Sequence, residues 1–169
     1  MIRLTQRLEG PVTPRAAVSL PYELRRRSRV KIRLDSGEEA GLFLPRGLVL
    51  RDGDCLGGDE GWIVRVRATP ESVSRARTHD PLLLARASYH LGNRHVALQV
   101  GPDELRYLHD HVLDDLVRAL GLTVTVEDLP FEPEAGAYGG HGHEHGDPHG
   151  TDPEHPQGQG HGPGHGHEH

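Results

Sequence analysis

Apolar and polar residues alternate through the first part of the chain, and this alternation predicts β-strands. Over residues 30–34 every second residue is apolar, which is the period of a strand with one buried face. Further short apolar runs lie at 40–44 and 62–66, with turn residues such as glycine, proline and aspartate between them. Several short strands with regular turns predict an all-β, sandwich-like domain over residues 1–73.

Helical and strand patterns alternate over residues 74–138. Apolar residues at helical spacing follow Asp80-Pro81, a pair typical of a helix start, and a second helical stripe follows Asp110 and closes at Gly121. Strand-like alternation precedes the first helix, recurs twice between the helices and returns after the second. This β-α-β-β-α-β order predicts a ferredoxin-like domain and places the chain in the α+β class.

The sequence also indicates where these elements end. Gly92-Asn93 is expected to end the first helix, because both residues tolerate a positive φ angle. The next two strands are predicted over 96–100 and 105–109. The basic run at 25–29 is expected to lie on a solvated face.

The last segment, residues 139–169, has a different composition. It contains no apolar residue, so nothing in it can offset the entropy of ordering the chain, and we expect it to be disordered unless metal holds it. Nine of the fourteen histidines of the chain lie in this tail. They are His141, His143, His145, His149, His155, His161, His165, His167 and His169.

The tail histidines predict metal binding. Many are two residues apart and separated by glycine or an acid, so neighbouring imidazoles can turn toward one ion while carboxylates add oxygen ligands. A purification tag would be an unbroken run of histidines, and the tail has none. Nitrogen and oxygen ligands suit Ni²⁺, Cu²⁺, Zn²⁺ or Co²⁺, and the tail alone does not select among them.

Charge and composition exclude several other classes. The net charge of −6 argues against a nucleic-acid partner, and the only lysine, Lys31, is followed by isoleucine, so no phosphate-binding GK[ST] motif exists. The single cysteine, Cys55, allows neither an internal disulfide nor a cysteine zinc box. No apolar stretch is long enough for a signal peptide or a membrane span, so we expect a cytoplasmic protein without a membrane partner.

Histidines outside the tail are open to two interpretations. His95 is a lone histidine after the first helix, where a structural role is the commoner one. His109-Asp110-His111 is a stronger candidate for a metal site, because two histidines two apart on a strand would share a face, although a strand–helix junction makes that geometry uncertain. His90, near a helix end, and Asp110 are possible minor ligands.

Three segments resemble the urease accessory protein E family. They are YHLGNRHV at 89–96, HDHVLDDL at 109–116 and LPFEPEAGAY at 129–138. The similarity is dense from about residue 81 to residue 138, and the GNRH motif is specific to the family. The first domain is similar only in its general plan, and the tail is similar in its composition.

This resemblance implies a homodimeric nickel metallochaperone that is not an enzyme. It implies a first domain like the peptide-binding domain of a heat-shock co-chaperone and a second, ferredoxin-like domain. His95 of the GNRH motif would pair with its twin across the dimer axis to hold one nickel ion, while His109, His111 and the tail would bind further ions. Nickel would then pass through a GTP-hydrolysing urease accessory protein to apo-urease.

Three functions other than nickel delivery draw on parts of the same sequence. A nickel or zinc storage protein would use the tail and would not need His95. A peptide-binding co-chaperone acting through the β domain is compatible with delivery. A metallohydrolase built on the 109–111 triplet is disfavoured because the chain has no HExxH motif, and the nearby Asp114 and Asp115 are expected on a solvated helix face.

Overall fold

The computed structural model describes residues 1–135, which form two β-sheets and three helices. The first sheet has six short strands, as the alternating pattern predicted. Its elements are β1 (Ile2–Leu8), β2 (Ala16–Leu20), the short helix α1 (Tyr22–Arg25), β3 (Arg29–Arg33), β4 (Glu39–Phe43), β5 (Cys55–Gly58), a 3₁₀ turn (Asp59–Gly61) and β6 (Ile63–Ala68).

The six strands form one continuous sheet, whereas the sequence predicted a sandwich-like domain. Its strand order is β2-β6-β5-β1-β4-β3. The two edge strands are joined through Asp35, whose N–H donates to the Ala17 carbonyl (2.9 Å) and whose side chain accepts from the Ser19 N–H (2.8 Å). Continuous pairing from strand to strand nearly closes the sheet around its own core. That core consists mainly of aliphatic residues, among them the fully buried Leu4, Val18, Leu42, Leu56, Val64 and Val66.

The second sheet follows at once, and its elements occur in the predicted β-α-β-β-α-β order. They are β7 (Pro70–Arg77), α2 (Pro81–Gly92), β8 (Gln99–Val100), β9 (Glu104–Leu108), α3 (His111–Leu120) and β10 (Thr123–Pro130). The strand order is β10-β7-β9-β8, with every neighbouring pair antiparallel. The predicted α+β class is therefore confirmed, although β8 is shorter than the strand predicted over 96–100.

Both long helices begin where the sequence predicted. A side-chain oxygen of Asp80 accepts from the N–H groups of Leu82 and Leu83, and Asp110 does the same for Val112 and Leu113. These bonds satisfy amide donors that the first turn of a helix leaves unpaired. Both helices pack on one face of the second sheet around a buried cluster that includes Ala76, Ala87, Leu91, Leu105, Tyr107 and Val117.

A buried arginine joins the two sheets. Arg25, at the end of α1, is fully buried, which corrects the prediction that the whole run at 25–29 is solvated. Its guanidinium donates to the carbonyls of Leu20, Leu50 and Phe131 and to the carboxylate of Glu132. Because Phe131 and Glu132 follow β10, these bonds fix the end of the second sheet against the first.

Candidate metal-binding site

His95 lies in a left-handed backbone conformation just beyond helix α2. The prediction that Gly92-Asn93 ends the helix is confirmed, because Gly92 is its last residue and Asn93, with φ −62°, caps it. The positive φ angle is taken two residues later by His95, with φ 56°. The His95 N–H donates to the Gly92 carbonyl (3.0 Å), and the Val96 N–H donates to the Leu91 carbonyl (3.3 Å). Two such bonds around a left-handed residue form a Schellman-type helix end.

Helix α3 ends in the same way, with a glycine in the equivalent place. Gly121 has φ 109°, its N–H donates to the Arg118 carbonyl (2.9 Å), and the Leu122 N–H donates to the Val117 carbonyl (3.3 Å). Glycine is the usual residue there because it has no Cβ to clash in the left-handed region. A histidine at this position is uncommon, and residues in such conformations cluster at functional sites.

The exposed His95 borders a groove between the two sheets. The groove has a volume of about 610 Å³. Its wall on the first domain includes Tyr22, Arg26 and Val49, and its wall on the second includes Val96 and Leu98. The groove thus gives a surface imidazole a partly apolar surrounding.

The described chain ends beside this histidine. Glu134 and Ala135 line the groove with His95, and the Glu134 N–H donates to the Leu98 carbonyl (2.8 Å). This bond holds the segment after β10 close to the residues that follow His95.

The 109–111 triplet lies at the junction of β9 and α3 instead of on a strand. Strand β9 ends at Leu108, His109 follows it, Asp110 caps the helix and His111 is its first residue. The sequence left open whether the two histidines share a strand face; they do not, because the helix begins between them. Asp110 uses one carboxylate oxygen for the cap, which leaves it less free to bind an ion.

His109 belongs to a network of buried polar side chains. Its Nδ1 lies 3.0 Å from the Ser74 hydroxyl and 3.3 Å from a carboxylate oxygen of Asp114. The Tyr107 hydroxyl donates to the other oxygen of Asp114 (2.9 Å). Ser74, Tyr107 and Asp114 are all buried, whereas the side chain of His109 is 40% exposed.

The burial of Asp114 corrects a sequence prediction. Asp114 was expected with Asp115 on a solvated face, yet only 2% of its side chain is exposed, against 77% for Asp115. Its charge faces the Tyr107 hydroxyl and, at 3.9 Å, the guanidinium of Arg118. Burial, together with the hydrogen bond to the Asp114 carboxylate, raises the pKa of Tyr107 well above its usual range, so Tyr107 remains a donor.

The other predicted ligands are placed as follows. His90 is exposed in the last turn of α2, where a basic residue suits the helix dipole, and its ring meets that of Tyr89 edge to face at 5.5 Å. Within residues 1–135 no three histidine, cysteine or acidic side chains gather in an arrangement that could hold a metal ion. The nine histidines of the predicted tail lie outside the described residues.

Cys55 is buried in the first domain, where free cysteine commonly packs as a small apolar residue. Among the helices of the described chain, none has the length and apolar character that crossing a membrane requires.

Together, the two sheets and the exposed histidines define an α+β protein that presents imidazole donors on its described surface. Comparison with known proteins then identifies its family. The family description "UreE urease accessory protein, N-terminal domain" matches residues 3–69, and its C-terminal counterpart matches residues 71–169. The chain belongs to the UreE urease accessory protein family.

Individual relatives agree with this assignment over nearly their whole length. The urease accessory protein UreE of Citrobacter koseri is 57% identical over 152 residues, which cover 88% of this chain and all of the relative. The protein of that name from Enterobacter sp. strain 638 is 61% identical over 139 residues, 82% of this chain and 91% of the relative. That of Escherichia coli O157:H7 is 54% identical over 146 residues, 86% and 95% respectively.

Family membership is consistent with a role in urease maturation. The names of the relatives describe accessory proteins and not urease itself. The similarity also extends through the first domain, where the sequence resemblance had covered only the general plan.

Proposed function

We propose that the protein is a nickel metallochaperone, not an enzyme, that binds Ni²⁺ and delivers it during maturation of the urease active site. The observation that carries this proposal is the position of His95. An exposed imidazole occupies a backbone position that glycine normally takes, at the edge of a groove, in a family of urease accessory proteins. A histidine at such a position lowers the stability of the fold, and a role in metal binding would explain why histidine is found there.

A homodimer would complete the delivery site. One imidazole per chain is too few for a specific metal site, whereas a twofold axis brings the same residue of two chains together. The second domain has apolar surface that an interface could cover: Leu82 and Tyr89, seven residues apart on α2, are 60% and 65% exposed, and Val100 is 47% exposed. Two His95 imidazoles then form an incomplete shell that can exchange ligands with an acceptor.

The remaining parts of the chain take supporting roles in this proposal. Residues 74–138 form a ferredoxin-like metal-binding domain, with His109 and His111 as peripheral ligands. Residues 1–73 form a peptide-binding, co-chaperone-like domain that meets protein partners. The histidines of residues 139–169 bind additional ions. In the cytoplasm, nickel passes to a GTP-hydrolysing urease accessory protein and then to apo-urease.

Nickel titration of the full chain tests the delivery site. Wild type, His95→Ala and a chain ending at Gly140 are compared by equilibrium dialysis, with the mass in solution measured in parallel. We expect truncation to remove most nickel but to leave about one tight ion per dimer, because the interface and the tail bind separately. His95→Ala should lose that tight ion and keep the tail ions.

Urease activation provides the functional readout. In a reconstitution with apo-urease and its other accessory proteins, His95→Ala should activate less enzyme than wild type at limiting nickel. A variant that activates urease as well as wild type would refute the delivery site. It would favour the alternative, a nickel or zinc store acting through the tail, for which the nine tail histidines are the supporting observation.

A further inference from the structure

Buried polar side chains contact the Nδ1 edge of the His109 imidazole. Nδ1 faces the Ser74 hydroxyl and the Asp114 carboxylate, at 3.0 and 3.3 Å, while part of the ring reaches solvent. The two nitrogens of an imidazole flank Cε1 and point away from the ring in different directions. With Nδ1 turned inward, Nε2 is the nitrogen left for a ligand outside the fold.

The charge of Asp114 selects the tautomer of this imidazole. In the neutral ring one nitrogen carries the proton and the other carries a lone pair. A bare Nδ1 would place its lone pair 3.3 Å from a carboxylate oxygen, which is repulsive, whereas Nδ1–H in the same place is attracted. This charge favours the tautomer with the lone pair on Nε2, in which the Ser74 hydroxyl accepts from the same Nδ1–H.

The position of Asp114 is itself firmly fixed. It lies on α3, its backbone N–H donates to the Asp110 carbonyl (2.9 Å), and the Tyr107 hydroxyl binds its second carboxylate oxygen. Tyr107 is fully buried on β9, and Ser74 lies beside it on β7, paired in register. Helix α3 and strand β9 thus hold the carboxylate, while Ser74 on β7 contacts Nδ1 of His109, so the imidazole direction is set by the fold.

We propose that Asp114 is a positioning residue that fixes His109 as the Nδ1–H tautomer and directs Nε2 outward as a donor for a divalent metal ion. A carboxylate behind a histidine orients the ring and increases its basicity as a ligand in metal sites generally. The proposal rests on the proposed function in taking His109 as a nickel ligand. It assigns a role to Asp114, a residue whose side chain is too buried to bind the ion itself.

The test reads each imidazole separately in the full-length chain. Histidines are labelled with ¹⁵N, and the ring nitrogens of His109 are assigned by comparison with His109→Ala. Nitrogen shifts of the metal-free protein at about pH 8, where imidazole is mainly neutral, report the tautomer. Addition of Ni²⁺ then broadens the signals of each histidine that binds it, so the tail ions do not obscure the result.

Wild type should show His109 as the Nδ1–H tautomer. In Asp114→Asn the amide group can donate to Nδ1, so the Nδ1–H population should fall. The nickel concentration that broadens His109 should then rise about 10-fold to 100-fold, the usual effect of losing an outer-shell carboxylate. The response of His95 should not change. Asp115→Asn, on the exposed neighbour, is the matched control and should behave as wild type.

Three results would overturn the proposal. The first is a wild-type His109 with its proton on Nε2, a result that needs only the wild-type protein and so can be obtained even if Asp114→Asn fails to fold. The second is an Asp114→Asn chain whose His109 binds nickel as wild type does, and the third is a wild-type His109 that nickel never broadens. Nickel that fails to affect His95 would instead count against the proposed delivery site and leave the role of Asp114 standing.

Discussion

Replacing His95 by glycine should stabilise the protein while removing its proposed metal ligand. His95 holds a φ angle of 56° at the end of α2, where the equivalent residue of α3 is Gly121. The hydrogen bonds of this helix end use backbone atoms only, so glycine can make all of them. The imidazole is exposed, and its removal leaves no cavity in a core.

The size of the effect follows from two opposing costs. A residue with a Cβ loses about 1–2 kcal/mol in the left-handed conformation, and glycine avoids this. Glycine has more freedom in the unfolded chain, which offsets about 0.5–1 kcal/mol of the gain. His95→Gly should therefore raise the free energy of unfolding by about 0.5–1 kcal/mol, which raises Tm by about 1–4 °C for a protein of this size.

Urea denaturation of metal-free, full-length protein at one fixed concentration measures the change. His95→Ala keeps the Cβ and should stay close to wild type. Gly121→Ala is the reciprocal control: its new Cβ would lie 3.5 Å from Leu83 Cδ2, an ordinary contact, so its loss of about 1 kcal/mol would come from the backbone. If His95→Gly is no more stable than His95→Ala, the left-handed position of residue 95 is wrong.

Two further changes test the buried polar groups. The folded protein raises the pKa of Tyr107, so above about pH 10 unfolding releases the phenol proton and the free energy of unfolding falls as the pH rises. Tyr107→Phe should make this fall less steep when stability is measured from about pH 9 upward. An unchanged slope would contradict the raised pKa of Tyr107. Arg25→Met should cost about 3–5 kcal/mol in urea denaturation, because it strands buried carbonyls and the Glu132 carboxylate. Glu132→Gln keeps a neutral acceptor for Arg25 and should cost less, about 1–2 kcal/mol; equal losses would argue against Arg25 as the link between the sheets.

The sequence predicted the features that depend on local patterns. Asp80-Pro81 was identified as a helix start because proline suits the first helical position, and Asp110 was identified as a cap because its side chain can accept from first-turn N–H groups. The element order of the second domain followed from the change between periods of two and 3.6 residues. The single continuous sheet of the first domain could not be predicted from the sequence, because alternation shows which face of a strand is buried but not which strand pairs with which.

The sequence predicted where α2 ends, but not which residue after it would be left-handed. Gly92 and Asn93 both tolerate a positive φ angle, yet neither takes it, and His95 does. Sequence motifs pointed to His95 through family resemblance, whereas its backbone conformation could be found only in the structure.

Buried charges were the other features that sequence patterns missed. Arg25 stands in a basic run and Asp114 beside another acid, so each looked like part of a solvated surface. Arg25 binds Phe131 and Glu132, which lie far along the chain. Asp114 accepts a hydrogen bond from Tyr107 on the neighbouring strand β9. The spacing of apolar residues along the sequence does not show which hydroxyl or carbonyl group will contact a charged side chain.

The bond from Glu134 to Leu98 has a consequence for how ions could reach the groove. It fixes the point from which the rest of the chain departs, at a rim that His95 shares. Whatever path residues 136–140 take, His141 is six residues from Ala135 and so within about 20 Å of it. Under the proposed function, an ion released from His141 would therefore start its path to His95 within about 20 Å of Ala135, which lines the same groove as His95.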